Sequence, residues 1–391
     1  MPHSVYIHIP FCRKRCSYCD FNTYAGIEAL LPAYVDALCQ EIVKVTSANS
    51  SRTPVHTIFL GGGTPSLLSA DQMNHLLTTV RSCFQMTADA EISIEANPGT
   101  IVDNQLDDFR KLGVNRISFG SQSARESELK LLGRIHTHEE TIKSIQAARH
   151  VGFENINIDL IFNLPGQTAQ DWQQNLNAAL ALNPDHLSLY SLTIEEGTLL
   201  QQQIEDGLYP HPDDDHAADL MDIAVKMLGE AGFIHYEISN WARPGKECLH
   251  NKQYWKNRPY FGFGAGAHGL VNNVRTVNEL LPRKYINRCN YDEVSQYPLG
   301  PAVTEYHHRE LNEQIEDHLI LNLRLLQEGL NLNDFELRFD KKLDEVYPAL
   351  LSGLIKHGLL EWHQNRRSLR IPEKHFFIAN QILVQFIEDE D

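Results

Sequence analysis

The sequence is poor in basic residues and has no long apolar run. Its 34 Lys and Arg residues stand against 51 Asp and Glu residues, which gives a formal net charge of −17. Surfaces that bind nucleic acid are basic because they neutralise phosphates, so this balance argues against a nucleic-acid partner. A membrane-spanning helix needs about 18 or more consecutive apolar residues, and the sequence contains no such stretch. We therefore expect a globular protein with no integral membrane segment.

An export signal is also lacking. The opening MPHSVYIHIP has neither a basic start nor an apolar stretch long enough for secretion. We therefore expect a cytoplasmic protein whose seven cysteines lie in a reducing compartment and form no disulfide framework. A length of 391 residues predicts one large α/β domain and a smaller second domain.

Short β-strand patterns alternate with amphipathic helix patterns over the first two hundred residues. The strand patterns begin near Val5, His56, Glu91, Arg116, Asn155 and His186. Helix starts are marked by the capping-box pairs Ser69–Gln72 and Thr137–Glu140, and by Thr168. Repeated βα units predict a parallel sheet with right-handed crossovers, either as an open barrel or as a doubly wound sheet.

Polar and glycine residues follow the predicted strands at their carboxyl ends. They comprise a cysteine-rich loop, the run GGGTP at 61–65, Glu95, the run SQS at 121–123, and Asp159. Barrel enzymes collect functional groups around this whole rim, whereas a doubly wound sheet binds ligands at one switch point. Contributions from five successive strand ends favour the barrel. We predict an α/β fold with a partial (β/α)6 TIM-type barrel.

The pattern changes after about residue 200. We predict the barrel over 1–200 and a barrel extension over 201–300, which carries HNKQYW at 250–255 and FGFGAGAHG at 261–269. Amphipathic helices followed by a hairpin pattern predict a C-terminal, mostly helical, winged-helix-like domain over 301–391. For FGFGAGAHG, a close-packing segment and a cradle for propionate groups both remain open, and the roles of Cys248 and His268 also remain open.

Cys12, Cys16 and Cys19 form the pattern C-x3-C-x2-C, with no fourth cysteine nearby. A [4Fe–4S] cluster normally takes four cysteines, so three of them leave one iron open to a chelating ligand. S-adenosylmethionine has an α-amino and an α-carboxylate group that can chelate iron, and an electron from the cluster can cleave its sulfonium bond. A zinc site completed from elsewhere, or simple free thiols, would also explain the cysteines.

The cysteine pattern after a first strand resembles that of the radical S-adenosylmethionine superfamily. YIHIPFC, GGGTP, EANP, GSQS, LPGQT and HNKQYW together resemble the family of oxygen-independent coproporphyrinogen III oxidase and its relatives, and most closely its heme-chaperone branch. The resemblance runs from residue 4 to about residue 380. It implies a [4Fe–4S] cluster on the three cysteines, with S-adenosylmethionine bound beside it.

The resemblance also implies which residues bind S-adenosylmethionine. The matching positions are Tyr6, Tyr18, Gly62, Gly63, Thr64, Glu95, Gln122, Arg134 and Asp159. Glycines let the backbone approach a ligand closely, a carboxylate suits ribose hydroxyls or a positive charge, and a guanidinium pairs with a carboxylate. Taken singly, each residue also has a structural explanation, such as a tight turn or a buried hydrogen bond.

Two departures separate the sequence from the oxidase. Phe21 stands where the oxidase has a further cysteine, and only eleven residues precede Cys12 where the oxidase has an N-terminal arm. Both argue against decarboxylation of coproporphyrinogen. HNKQYW matches the chaperone branch, which implies His250 as a heme ligand and Tyr254 or Trp255 as a face for the macrocycle. An aromatic turn that only anchors the chain is the structural alternative.

Together these features predict a heme chaperone. It would bind a [4Fe–4S] cluster, S-adenosylmethionine and heme, and would transfer heme to acceptor hemoproteins; a homodimer is among the assemblies we consider. The alternatives are a radical enzyme that acts on a porphyrin and a zinc-stabilised scaffold.

Overall fold

The structure is a computed structural model, and its described residues form two compact units. It describes residues 2–49, 51–102, 104–291 and 296–387. The first unit comprises residues 1–227 and 259–308, and the second comprises residues 228–258 and 309–391. These units divide the chain differently from the boundaries at 200 and 300, because the segment that contains HNKQYW groups with the C-terminal residues. The domain boundaries drawn from the sequence therefore stay a prediction.

The strands and helices are numbered in chain order. The strands are β1 (His3–Ile9), β2 (Phe11–Cys12), β3 (Tyr24–Ala25), β4 (Pro54–Gly62), β5 (Gln85–Ala96), β6 (Arg116–Gln122), β7 (Ile156–Phe162), β8 (His186–Ser191), β9 (Ile234–Glu237), β10 (Asn240–Ala242), β11 (Tyr260–Phe263), β12 (His268–Val271), β13 (Val274–Asn278), β14 (Val303–His308), β15 (Leu330–Asn331), β16 (Glu361–His363) and β17 (Ser368–Arg370). The helices are α1 (Leu31–Ser47), α2 (Ala70–Cys83), α3 (Gln105–Lys111), α4 (Glu126–Leu131), α5 (His138–His150), α6 (Ala169–Ala181), α7 (Leu199–Glu205), α8 (Asp214–Glu230), α9 (Leu249–Trp255), α10 (Pro282–Asn290), α11 (Leu311–Asn322), α12 (Leu332–Phe339), α13 (Leu343–Val346), α14 (Pro348–Lys356) and α15 (Ala379–Leu383).

The first unit is built on one large sheet. Its strands follow the spatial order β14-β13-β12-β11-β1-β4-β5-β6-β7-β8. Neighbours from β11 to β8 pair in parallel, and each strand from β4 onward lies beside the preceding βα strand. A doubly wound sheet would reverse its strand order at a switch point, and this order does not. The predicted partial barrel is confirmed.

Strand β1 shows why the barrel presents polar groups at its interior. Val5, Ile7 and Ile9 are fully buried, as expected for a parallel strand covered by helices. Successive side chains of a strand point to opposite faces, so Tyr6 and His8 face the other side. The same alternation on neighbouring strands brings polar side chains together inside the barrel.

The helix starts that the sequence predicts are also confirmed. Ser69 Oγ accepts the backbone N–H of Gln72 at 3.2 Å, while the Gln72 side chain accepts the Ser69 N–H at 2.9 Å. Thr137 and Glu140 make the same reciprocal pair at the start of α5. Thr168 caps α6. Each cap satisfies backbone donors that the first turn of a helix leaves open.

The segment 261–269 contributes a strand that the sequence pattern does not reveal. Strand β11 pairs in parallel with β1, then turns into the antiparallel strand β12. A Cβ atom on Gly262 would lie 1.8 Å from the His268 carbonyl oxygen, and one on Gly264 would lie 2.5 Å from the His8 carbonyl oxygen. These glycines permit close backbone packing, which supports the close-packing interpretation of the segment.

The second unit has its own apolar core between helices α11, α12 and α14 and a small antiparallel sheet with the order β15-β17-β16. Its buried side chains include Ile315, Leu319, Leu323, Leu330, Phe335, Leu354 and Leu369. The predicted mostly helical, winged-helix-like C-terminal domain is confirmed. Among the described residues, no helix is both long and apolar enough to cross a membrane.

Candidate cofactor site at the barrel rim

The cysteine loop follows β1 and lies at the carboxyl end of the barrel strands. It is fixed in its middle by Ser17, whose N–H donates to the Leu132 carbonyl at 3.0 Å and whose hydroxyl donates to the Leu131 carbonyl at 2.8 Å. The Ser17 carbonyl accepts the Leu200 N–H at 2.8 Å. Because these contacts come from segments far along the chain, the loop has a defined position at the rim.

Each cysteine sulfur has a polar neighbour. The distances to Sγ are 3.6 Å for Thr64 Oγ1 at Cys12, 3.4 Å for Arg134 Nη1 at Cys16 and 3.8 Å for Thr23 Oγ1 at Cys19. Burial raises the pKa of the Cys12 and Cys19 thiols, and the neighbouring sulfurs raise it further. Three thiolates this close together repel one another, so the fully ionised set favours a cationic partner.

The arrangement of the cysteines is compatible with a cluster. A single metal ion holds its ligands at about 2.0–2.3 Å from one point. Across the part of the chain that the structure describes, no three His, Cys, Asp or Glu side chains converge in this way. In a [4Fe–4S] cluster each cysteine binds a different iron, so its sulfurs do not converge on one point.

The GGGTP loop packs its backbone against β1 and the start of the cysteine loop. Gly62 has φ +111°, and a Cβ there would lie 2.4 Å from the His8 ring. A Cβ on Gly63 would lie 2.7 Å from the Phe11 carbonyl oxygen, and the Thr64 N–H donates to that same carbonyl at 2.8 Å. Only glycine fits this close approach, which in turn places the Thr64 hydroxyl beside Cys12.

Glu95 links this loop to the next strand. Its Oε2 accepts the Gly62 N–H at 3.0 Å. Burial of the carboxyl, and secondarily the charge of Asp159, raise the pKa of Glu95 to about 7. A buried carboxyl group with a raised pKa favours a positively charged ligand or a hydroxyl donor nearby.

Asp159 is held by a set of polar side chains inside the barrel. Ser118 Oγ donates to its Oδ2 at 3.0 Å, and Asn157 Nδ2 donates to its Oδ1 at 2.7 Å. His186 Nδ1 lies 2.6 Å from Asn157 Oδ1 and fixes the orientation of that amide. Burial raises the pKa of Asp159, while these donors lower it.

Three of these partners, Ser118, Asn157 and His186, are site residues that sequence reasoning missed. Their signal is weak but present: polar residues occupy alternate, inward-facing positions on adjacent strands, as with Asn157 and Asp159 on β7. Burying so many polar groups is unfavourable unless they bond to one another. This network therefore serves to hold the Asp159 carboxylate in place.

Arg134 and Gln122 complete this side of the rim. Arg134 Nη2 donates to Asn97 Oδ1 at 2.9 Å and to the Gly120 carbonyl at 2.5 Å, while its Nη1 faces Cys16. Gln122 has a left-handed backbone with φ 67°, and its buried Oε1 has no hydrogen-bond partner among the described residues. A buried acceptor with no partner among the described residues suits a ligand that brings its own donor.

The two predicted tyrosines have different surroundings. The Tyr6 hydroxyl donates to His8 Nδ1 at 2.8 Å, and His8 Nε2 donates to the Asn22 carbonyl at 2.9 Å. Burial lowers the pKa of His8, so its ring is neutral and relays this bond to the cysteine loop. Tyr18 instead packs against an apolar cluster that includes Leu132.

His250 belongs to the second unit, whereas the rim residues all belong to the first. It is fully buried on α9, and its Nε2 is 2.8 Å from the Tyr254 hydroxyl. The two rings meet edge to face, with centroids 4.9 Å apart. Arg324 lies over the Trp255 ring at 5.7 Å from its centroid. HNKQYW therefore forms one helix whose aromatic side chains are already in contact with polar partners.

Comparison with known proteins places this geometry in a family. The family model described as Radical SAM superfamily matches residues 6–179, and that described as HemN C-terminal domain matches residues 310–374. A solved structure described as coproporphyrinogen III oxidase (HemN) from Escherichia coli, a radical SAM enzyme, aligns with a TM-score of 0.83 and 26% identity. That alignment covers 98% of this chain and 90% of the other.

Curated relatives make the assignment more specific. The chain is 35% identical over 385 residues to the heme chaperone HemW of Bacillus subtilis, covering 98% of this chain and 99% of the relative. It is 44% identical over 294 residues to the heme chaperone HemW of Escherichia coli, covering 73% and 76%. The chain therefore belongs to the HemW family of heme chaperones, within the radical SAM superfamily.

Proposed function

We propose that this protein is a cytoplasmic heme chaperone. It holds a [4Fe–4S] cluster on Cys12, Cys16 and Cys19, binds S-adenosylmethionine at the barrel rim and heme at HNKQYW, and transfers heme to acceptor hemoproteins. The observation that carries this proposal is the likeness over nearly the whole chain to relatives named heme chaperones, combined with three thiols grouped at the barrel rim.

The donor set at the rim suits these cofactors. The cysteines supply soft ligands for iron, and the close backbone packing of Gly62 and Gly63 leaves no room for a larger side chain there. Gln122 Oε1, which has no partner among the described residues, and the carboxyl of Glu95 would accept hydrogen bonds from the amino and hydroxyl groups of S-adenosylmethionine. When bound, the cluster and S-adenosylmethionine supply one-electron chemistry to the site.

The role proposed for the residues of the chain is to bind the cofactors and orient them. Arg134 neutralises charge at Cys16 while Asn97 and the Gly120 carbonyl hold its guanidinium in place. Its remaining capacity for hydrogen bonds suits the carboxylate of S-adenosylmethionine. Asp159, fixed by its network, suits the ribose hydroxyls or the sulfonium charge.

His250 is proposed as the heme ligand. A neutral imidazole is a common axial ligand of heme iron. Because the Tyr254 hydroxyl lies 2.8 Å from His250 Nε2, ligation through this nitrogen requires the hydroxyl to move aside. Tyr254 and Trp255 then offer aromatic faces to the macrocycle.

A second candidate function is a radical enzyme that acts on a porphyrin, and the similarity to the oxidase structure favours it. Phe21 argues against it. This side chain is 64% exposed at the position where the oxidase has a further cysteine.

The test uses anaerobically reconstituted protein with verified iron and sulfide. Heme and coproporphyrinogen III are added separately, each with S-adenosylmethionine and a reductant, and the Soret band, carbon dioxide and deoxyadenosine are measured. We expect a saturable Soret shift, weakened by His250→Ala and unchanged by His75→Ala on the exposed surface of α2, with no carbon dioxide. Carbon dioxide formed in step with deoxyadenosine would instead establish the porphyrin enzyme.

A further inference from the structure

The second unit contains a group of positively charged and polar side chains that the proposed function has not used. It consists of Asn257, Arg258, Arg309, His318 and Arg338, here called the basic cluster. Arg338 Nη1 donates to the Asn257 carbonyl at 2.8 Å and lies 3.5 Å from His318 Nδ1. Arg309 Nη1 donates to Asn257 Oδ1 at 3.1 Å. Asn257 therefore stands at the centre of the group.

The basic cluster begins directly after the helix that carries HNKQYW. Asn257 has a left-handed backbone with φ 48°, and its N–H donates to the Tyr254 carbonyl at 2.8 Å. The Arg258 N–H donates to the Gln253 carbonyl at 3.1 Å. This is a left-handed helix cap, in which Asn is one of the few residues accepted besides Gly. The cap fixes how Asn257 and Arg258 leave α9.

His318 contributes a buried N–H donor to the cluster. Its Nδ1 faces two donors, Asn322 Nδ2 at 3.3 Å and Arg338 Nη1 at 3.5 Å, so Nδ1 accepts and the proton resides on Nε2. Burial, and then the charges of Arg338, Arg258 and Arg309, lower the pKa of His318 to about 3. The ring is therefore neutral, with Nε2–H available to donate.

Three donors in the cluster have no acceptor among the residues that the structure describes. They are His318 Nε2, Asn257 Nδ2 and Arg258 Nε. His318 and Asn257 are 0% and 1% exposed. The Asn257 amide is oriented by Arg309 at its oxygen, so its nitrogen cannot exchange places with Oδ1. A buried donor left unmatched is destabilising, which is why such groups normally meet a partner.

The charge of the cluster indicates what that partner is. Three guanidinium groups lie close enough to affect one another: burial, and then Arg309 and Arg258, lower the pKa of Arg338. Two carboxylates lie against them, Asp317 at 2.7 Å from Arg309 Nη1 and Asp334 near Arg338. The cluster contains three arginines and its open groups are all donors, which suits an anion with several acceptor oxygens.

We propose that the basic cluster binds a carboxylate, and that this carboxylate is a propionate of heme. The identity of the ligand rests on the proposed function. His250 precedes Asn257 by seven residues, about 10 Å along a helix, so one short segment would hold both the iron and a propionate. Arg258 and Arg338 are partly exposed and offer an entry to the buried donors. Arginine presents two parallel N–H groups that match a carboxylate.

The first test compares heme with heme dimethyl ester, which keeps the iron and macrocycle but has no carboxylate charge. Soret titrations of the reconstituted protein measure both dissociation constants. We expect heme to bind about tenfold to a hundredfold more tightly than the ester, as for loss of a hydrogen bond to a charged group. Arg258→Gln and Arg338→Gln should bind heme no more tightly than the ester.

The matched control is Arg370→Gln, in the same unit, which removes an arginine paired with Glu361. It should keep the full difference between heme and ester. Melting curves of all variants identify any that fail to fold. Equal affinity of the wild-type protein for heme and ester would overturn the proposal.

A second measurement separates this proposal from the proposed function. Melting temperatures are recorded without heme, in sodium acetate and in sodium chloride of equal ionic strength. Acetate should stabilise the wild-type protein and Arg370→Gln more than chloride does, and should have no such effect on Arg258→Gln. If heme fails to bind while acetate acts in this way, the proposed heme-chaperone function is contradicted and the carboxylate site is supported. If heme binds but neither acetate nor esterification has an effect, the carboxylate site is contradicted and the proposed function is not.

Discussion

The barrel rim and the basic cluster both collect buried polar groups, but their compositions are opposite. At the rim, thiols and the carboxyls of Glu95 and Asp159 predominate, and backbone, hydroxyl and amide donors of the chain satisfy the carboxyls. In the basic cluster, arginines predominate and donors remain without acceptors among the described residues. The rim therefore suits ligands that bring positive charge or donors, and the cluster suits a ligand that brings acceptors. In a chain of net charge −17, a group of three arginines at one place is a specific signal.

The largest effect is expected when one of the three cysteines proposed to bind the iron–sulfur cluster is removed. Cys16→Ala should abolish assembly of the iron–sulfur cluster, because the remaining two thiolates cannot hold it. Iron and sulfide analysis after anaerobic reconstitution measures this, with Cys83→Ala on α2 as a control that should assemble normally. If the rim and the basic cluster are independent, acetate should still stabilise Cys16→Ala as it does the wild type. Loss of that stabilisation would show that the rim and the basic cluster are not independent.

A smaller effect is expected when one arginine of each region is substituted separately. Arg134→Gln should weaken S-adenosylmethionine binding about tenfold to a hundredfold, because a charged hydrogen bond is lost, and should leave the heme-to-ester ratio unchanged. Arg338→Gln should do the reverse. Equilibrium binding of S-adenosylmethionine to the reconstituted protein measures the first effect. Arg149→Gln, which removes an arginine paired with Asp185 at 2.6 Å, is the control for general destabilisation.

The smallest effect concerns pH and sharpens the difference in composition. The folded state raises the pKa of Glu95 from its ordinary 4.5 to about 7. Its contribution to stability is therefore full below about pH 4.5 and is lost as pH rises through 7, at a cost on the order of 2 kcal/mol. The basic cluster should contribute the opposite slope. His318 has a folded pKa of about 3 and is neutral in the folded protein, whereas an unfolded histidine is protonated below about pH 6.5. The stability contributed by His318 therefore rises between pH 5 and about 6.5, while the arginines, which stay charged, add no slope.

The measurement is the free energy of unfolding of the cluster-free protein at pH 5 and pH 8. Between pH 5 and pH 8 the stability of Glu95→Gln should rise relative to that of the wild type, because the cost of ionising the buried Glu95 carboxyl is removed. The contribution of Glu41, whose pKa burial also raises to about 7, is the same in both proteins. Glu139→Gln, at an exposed carboxylate paired with Lys143, should change with pH as the wild type does. A pH dependence of Glu95→Gln identical to that of the wild type would show that Glu95 is ionised in the folded state throughout this range.

Sequence reasoning predicts the residues of the rim better than those of the basic cluster, for a physical reason. The residues of the rim follow successive strands, and parallel strands bring their carboxyl ends to one edge whatever the details of packing. The positions of Glu95 and Asp159 at the rim can therefore be predicted from where they follow the strands in the sequence. Their supporting partners, such as Asn157 and His186, depend on which strands become neighbours and on the register between them.

The basic cluster has no comparable pattern in the sequence. Asn257 and His318 are separated by sixty-one positions, and His318 lies in a stretch that reads as an ordinary amphipathic helix. Strand β11 was missed for another reason: its glycines lower β propensity, although close approach to its neighbours requires them. In both cases the deciding contacts come from residues distant along the chain.

The pairing of β1 with β11 has a consequence for biosynthesis. A chain emerges from the ribosome with its N-terminus first, so the cysteine loop is made among the earliest residues. Yet Asn22, which closes that loop, donates to the carbonyls of Ala265 at 3.0 Å and Leu280 at 3.1 Å. These contacts cannot form until residue 280 has left the exit tunnel. The loop that carries the three cysteines therefore completes its contacts only after roughly the whole barrel has been synthesised.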